Sequence, residues 1–190
     1  MKLLIASNNQ HKIEEIKAVL QGKFDEIVTM KEVGIQCDPD ENGQTFFDNA
    51  LIKAKAVAEL TDMAVLADDT GLCVNALSGR PGVHSARYAS AHDSAANRRK
   101  LLAELQGVAD RSAHFETVVV LLYPNGEIVT GNGKVCGRII EKEQGANGFG
   151  YDSIFYCDEL GKTFAEATTA EKLTVSHRSR ALNDLLTKLK

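Results

Sequence analysis

Five apolar residues in a row, Met63-Ala64-Val65-Leu66-Ala67, run straight into two adjacent acids, Asp68 and Asp69, and then into Thr70-Gly71. A short unbroken apolar run closed by turn residues predicts a buried strand, with its acids emerging at the edge of the sheet. Carboxylates belong there only if something offsets their burial, because an unpaired buried charge is expensive and is matched by a cation or a metal. One reading is a divalent ion held through oxygen while an acid activates a water for attack on a phosphate. The other is a turn whose acids cap the backbone, a common use of Asp beside Gly.

The run sits within alternating strand and helix patterns. Leu3 to Ala6 reads as a first strand, and Ile13, Ile16, Val19 and Leu20 follow at helical spacing after the loop Ser7-Asn8-Asn9-Gln10-His11. Glu26 to Met30 reads as a second strand. Thr45 then caps a helix whose apolar stripe is Phe47, Ala50, Leu51, Ala54 and Ala58, leading into the Asp68-Asp69 strand. This order predicts an α/β domain with a partly parallel sheet that binds ligands outside the carboxyl ends of its strands, so the first loop and the two acids share one rim. Further on, Asp93 or Ser94 caps a helix through Leu105. Phe115 to Tyr123 and Glu127 to Thr130 form a hairpin about Pro124-Asn125-Gly126, making the sheet mixed. Gly145 to Gly150 is a loop, and the last helix puts Leu182, Leu185, Leu186 and Leu189 on one face.

At 190 residues, with 44% hydrophobic and 25% charged, the chain suits one globular domain over residues 1–190, with no internal repeat or long linker. The net charge of -4 argues against a broad nucleic-acid footprint, so an anionic ligand is met by locally placed cations. The first residues hold too few apolar positions for a signal peptide or membrane span, and the cytoplasm is the expected location. Cys37, Cys73, Cys136 and Cys157 form no C-x-x-C pair, so their spacing indicates neither zinc nor redox chemistry.

Three further groups can carry chemistry. Ser7, Asn9 and Lys12 surround a helix N-terminus, where free N–H groups and the helix dipole favour an anion; the alternative is an Asn-rich turn. Glu41, in the acidic turn Asp38 to Gly43, can supply a second carboxylate to a shared magnesium ion or belong to a solvated loop. Lys53 lies one turn after Asn49, and either can face the rim or solvent. Phe149-Gly150-Tyr151-Asp152 offers an aromatic face for a purine, with Lys172 and Ser176-His177-Arg178 as donors; alternatively Phe149 is core and Ser176 a helix cap.

The ordered set S-x-N-x-x-K, E-x-G-x-T-F-x-x-N-A, A-D-D-T-G-L, P-G-x-x-S-A-R-Y, G-F-G-Y-D and S-H-R resembles the inosine triphosphate pyrophosphatase family, the bacterial XTP/dITP diphosphatases, over essentially the whole chain. The resemblance implies an elongated α/β fold with a long mixed sheet, two lobes about a central cleft, and a homodimer. It implies magnesium-dependent hydrolysis of ITP, dITP and XTP to the monophosphate and pyrophosphate, through a metal-held water activated by Asp69. Asp69 and Glu41 would hold the metal, and Asp68 would support them. The loop from Ser7 through Asn8, Asn9, Gln10 and His11 to Lys12, with Lys53 and Thr70, would hold the triphosphate. Phe149, Gly150, Tyr151, Asp152, Lys172, His177 and Arg178 would take the base. Ala146-Asn147 and Ser153 depart from the family pattern beside G-F-G-Y-D, which bears on the rigidity of that loop. A Maf-like pyrophosphatase is the rival enzyme, but its S-x-S-P-R-R opening is absent; a non-catalytic nucleotide sensor is the rival from another class.

Overall fold

The computed structural model describes residues 2–91 and 93–189. Its strands are β1 (Lys2–Ile5), β2 (Glu26–Thr29), β3 (Ala64–Val74), β4 (Ser112–Leu122), β5 (Ile128–Ile139), β6 (Phe155–Cys157) and β7 (Lys162–Thr163). The helices are α1 (Gln10–Leu20), α2 (Phe46–Ala58), α3 (Ser94–Glu104), α4 (Thr169–Val175) and α5 (His177–Lys188). The strands form one sheet in the order β2-β1-β3-β4-β5-β6-β7. β1 is parallel to both β2 and β3, whereas β6 is antiparallel to β5 and β7, so the sheet is mixed as expected. The chain divides into two compact units: Met1–Asp69, Thr117–Gly133 and Arg178–Lys190 make the first, and Thr70–Glu116 and Lys134–His177 the second.

In the first unit, strand alternation sorts side chains to the two faces of the sheet. Leu3, Ile5, Ala64 and Leu66 pack with Ile13, Ile16 and Leu20 of α1 and with Ala181, Leu182 and Leu185 of α5. Leu4, Ala6, Val65 and Ala67 pack with Ala50, Ala54 and Val57 of α2. Strand order reverses about β1, with β2 on one side and β3 on the other, which is where open α/β sheets bind ligands.

The second unit has its own core. Leu72 and Val74 of β3 meet Leu101 and Leu105 of the α3 region, Ala113 and Phe115 of β4, Val135 and Ile139 of β5, and Phe155 and Phe164. β5 alternates cleanly: Gly133, Val135, Gly137 and Ile139 are buried, while Lys134, Cys136 and Arg138 are exposed.

Several expectations are corrected. The Asp68-Asp69 pair does not end its strand, because β3 runs on to Val74 with both acids buried inside it. Gln10 and His11 lie in the first turn of α1, with Asn9 as its cap, rather than in a loop. The buried face of α2 carries Phe46, Asn49, Ala50, Ala54 and Val57, while Phe47 is exposed. Both stripes fit a helical period, and the polar residues Asn49 and Lys53 decided which one turned inward. β5 extends well past Thr130, and α4, β6 and β7 were not anticipated.

Candidate active site

The same parity that sorts the apolar side chains of β3 sorts its acids. Asp68 follows Ala64 and Leu66 toward α1 and α5, and Asp69 follows Val65 and Ala67 toward α2. Each helix then presents cations to the acid on its side. From α1, Lys12 Nζ lies 3.0 Å from Asp68 Oδ2. From α5, Arg178 Nε and Nη2 each lie 3.3 Å from that oxygen, and Nη1 bonds Glu15 of α1. From α2, Asn49 Nδ2 donates to Asp69 Oδ2 at 3.2 Å, and Lys53 Nζ lies 3.3 Å from Asp69 Oδ1. Lys53 Nζ is also 3.3 Å from Glu41 Oε1, so the Glu41 and Asp69 oxygens are separated by no more than twice that distance.

These surroundings push the two neighbouring acids in opposite directions. Burial would raise Asp68, but Lys12, then Arg178 and Lys53, hold it well below the ordinary carboxylate range. Burial does raise Asp69; Lys53 and Lys12 oppose it, and Glu41 adds to it. Burial lowers Lys12 despite its contact with Asp68, and the like charges of Lys53 and Arg178 lower it further. Lys53 is raised because its burial is outweighed by Asp69, Asp68 and Glu41. A pair whose environments separate the two affinities for a proton is the usual signature of divided acid and base roles. Asp68 is held ionised by its cations, and Asp69 is the more readily protonated of the two.

The loop before α1 is tied down from within. Ser7 Oγ accepts from the Asn9 N–H at 3.2 Å, and Asn9 Oδ1 accepts from the Lys12 N–H at 3.2 Å as the helix cap. Asn8 Nδ2 donates to the Cys37 carbonyl at 3.1 Å, while Gln10 Nε2 donates to Glu14 at 3.0 Å on the exposed side. His11 is exposed in the same first turn. The Glu41 segment is positioned by Gly43, whose N–H donates to Asn49 Oδ1 at 2.8 Å. A Cβ at Gly43 would fall 2.5 Å from Asp48 Cβ and 2.7 Å from Asn49 Oδ1, so only glycine brings this segment so close to α2.

The second unit gathers most of the residues expected around the base. Lys172 Nζ lies 2.8 Å from Asp152 Oδ2, with the Phe149 ring 4.9 Å and the Phe164 ring 5.3 Å away. Asp152 Oδ2 also accepts from the Phe149 N–H at 3.0 Å. His177 is buried and stacks on Phe115, with ring centroids 4.7 Å apart. Phe149 is only half-buried, unlike the core phenylalanines Phe155 and Phe164. Tyr151 is buried and its hydroxyl donates to the Ser85 carbonyl at 2.8 Å, so its ring is scaffold rather than an open face. At Gly148, with φ of +75°, a Cβ would fall 2.2 Å from Asp152 Oδ2, which explains a glycine there. The two departures from the family pattern are anchored: Asn147 bonds the carbonyls of Ala165 and Ala167, and Ser153 Oγ donates to Glu143 at 2.9 Å. Arg98 ties Glu143 to the Gly150 carbonyl.

Ser176 is the C-cap of α4, and α5 opens at His177. Arg178 was expected among the base-binding donors; its guanidinium instead lies with Asp68 and Glu15 in the first unit. Thr70 follows Asp69 on β3 and is half-buried. Sequence reasoning left Asn49 undecided between rim and solvent and passed over Glu15. The first is visible as the Asn of T-F-x-x-N-A, and the second lies one helical turn from Lys12.

The Ham1 family model matches residues 3–188 of the chain. A dITP/XTP pyrophosphatase of Treponema denticola is 47% identical over 186 residues, covering 96% of this chain and 95% of that protein. One of Haemophilus influenzae is 44% identical over 193 residues, covering 99% and 98%. Among solved structures, a HAM1 protein from Coxiella burnetii matches with a TM-score of 0.89 at 37% identity, over 98% of this chain and 97% of its own. The Staphylococcus aureus Ham1 protein matches at 0.86 and 40%, over 96% and 95%.

Proposed function

This chain belongs to the Ham1 family, and we propose that it hydrolyses ITP, dITP and XTP to the nucleoside monophosphate and pyrophosphate, clearing non-standard purines from the nucleotide pool. The reading is supported by relatives named dITP/XTP pyrophosphatase that match along almost their whole length. The observation that carries the chemistry is Lys53, one ammonium 3.3 Å from both Glu41 and Asp69. Two carboxylates that converge on a shared positive charge suit a hard cation with few protein ligands, and magnesium is such a cation. Held by Glu41 and Asp69, it would offset phosphate charge and make a bound water more acidic.

The chain's own residues do the rest. Asp69, oriented by Asn49, takes the proton of the water that attacks the α-phosphorus. Asp68, fixed by Lys12 and Arg178, stays ionised and keeps those cations in place. The loop Ser7-Asn8-Asn9 and the first turn of α1, Gln10-His11-Lys12, receive the phosphates at the helix N-terminus. Lys12 and Lys53 neutralise the departing pyrophosphate, and Thr70 contacts substrate beside them. Positioning and charge stabilisation of this kind account for most phosphoryl-transfer catalysis.

In the second unit, Phe149 stacks on the purine, Gly150 and Tyr151 shape the loop, and Asp152 and Lys172 lie beside the base. His177 donates to the 6-keto oxygen of hypoxanthine or xanthine. Adenine presents an amino group there and leaves that donor unpaired, a loss that discriminates strongly. We take the enzyme to be one functional domain, a homodimer and cytoplasmic; among the described residues no helix is long and apolar enough to cross a membrane.

A panel of nucleoside triphosphates assayed for pyrophosphate tests the proposal. ITP, dITP and XTP are expected to be consumed far faster than ATP, with heavy oxygen from labelled water appearing in the monophosphate. Equal turnover of ATP, or release of orthophosphate, would overturn it.

A further inference from the structure

The alternation that buries Leu72 and Val74 of β3 and Ala113 and Phe115 of β4 leaves their neighbours on the other face of the sheet. Those neighbours are Cys73, His114 and Glu116, each half-buried. Their ligating atoms, one sulfur, one imidazole nitrogen and one carboxylate oxygen, all lie within 4.8 Å of one another. The His114 Nε2 to Glu116 Oε2 separation is 3.6 Å, too long for a hydrogen bond. It matches the spacing of about 3.3–3.8 Å between ligands that bonds of 2.0–2.3 Å produce around a tetrahedral ion. All three residues belong to the second unit and none has a part in the reaction proposed above.

We propose that Cys73, His114 and Glu116 form a second metal site, selective for a zinc-class divalent ion. The ligand chemistry sets the class: a thiolate and an imidazole favour zinc or cobalt and are poor partners for magnesium. Charge is balanced, since a thiolate and a carboxylate together offset a divalent cation. As the sulfur–metal bond forms, the Cys73 thiol releases its proton to solvent. His114 would coordinate the ion through its neutral imidazole. Burial pushes the Cys73 thiol up to about 11, and the charge of Lys134 on neighbouring β5 repels an incoming cation, so the affinity is moderate. Partial exposure leaves the fourth position to water. The ion would clip β3 to β4 in the second unit.

Cobalt is the probe, added to the full chain with saturating magnesium so that hard-oxygen sites are filled. A thiolate-to-cobalt charge-transfer band saturating at one equivalent, reversed by zinc, is expected. Cys73→Ser should abolish the band, while Cys136→Ser should keep it. Glu116→Gln should weaken cobalt binding at least tenfold and keep the band, which tests the site even if Cys73→Ser folds poorly. Zinc should raise the melting temperature of the parent and leave that of Cys73→Ser unchanged. Absence of the band, or its persistence in Cys73→Ser or at full strength in His114→Ala, would overturn the proposal.

Discussion

Asp68 and Asp69 are consecutive, the same residue type and both buried, yet the loss of charge at each has opposite consequences. Asp68 neutralises Arg178 and Lys12, so Asp68→Asn strands buried cations and should cost about 3–5 kcal/mol. Its folded-state affinity for protons is depressed below the unfolded value of about 3.9, so its contribution is complete above that pH and is lost as the medium is acidified through it. Melting temperature against pH should therefore fall below about pH 4 in the parent and stay flatter in Asp68→Asn. Asp69 is raised, so its ionisation at neutral pH opposes folding. Asp69→Asn should melt at or above the parent temperature while pyrophosphate release from ITP drops by about 10²–10⁴, the usual worth of a general base. Near-normal turnover would remove Asp69 from its role, and a large fall in melting temperature would show that its charge is structural. The sequence exposes both acids at a glance and hides what separates them. Arg178 reaches Asp68 from 110 positions away, beyond any local pattern.

At the scale of elements, α2 is legible because its signals are local. Thr45 and Asp48 form a reciprocal capping box, and an apolar period follows. Thr45→Ala should cost about 1 kcal/mol by thermal or denaturant unfolding. Because α2 carries Asn49 and Lys53, the same variant should also weaken ITP turnover, and an unchanged rate would uncouple the cap from the site. Which of two equally periodic stripes turns inward was not legible, since Asn49 was rewarded for meeting Asp69 rather than solvent. β3 misled for a related reason: adjacent acids read as the end of a strand unless the helices on each face are known to supply their cations. β6 and β7, of three and two residues, are too short to carry a period at all.

For the whole molecule, the mixed sheet and the parallel opening about β1 were readable, because strand and helix periods alternate through the first half of the chain. Two lobes were implied by the resemblance, but where they divide was not readable, since β3, β4 and β5 contribute to both units and no linker marks a boundary. Chelation with EDTA should abolish ITP hydrolysis and excess magnesium should restore it; activity that survives exhaustive chelation would remove the ion from the proposed chemistry. The strict parity of β3 carries a penalty of its own. Deleting one residue from Met63–Ala67 would leave a hydrophobic segment of ordinary character, yet every later side chain of the strand would swap sides. Arg178 and Lys12 would then grip Asp69 while Thr70 took the place opposite Asn49, so a frame-preserving loss of one codon would seat the proton acceptor in the anchor's position without touching either aspartate.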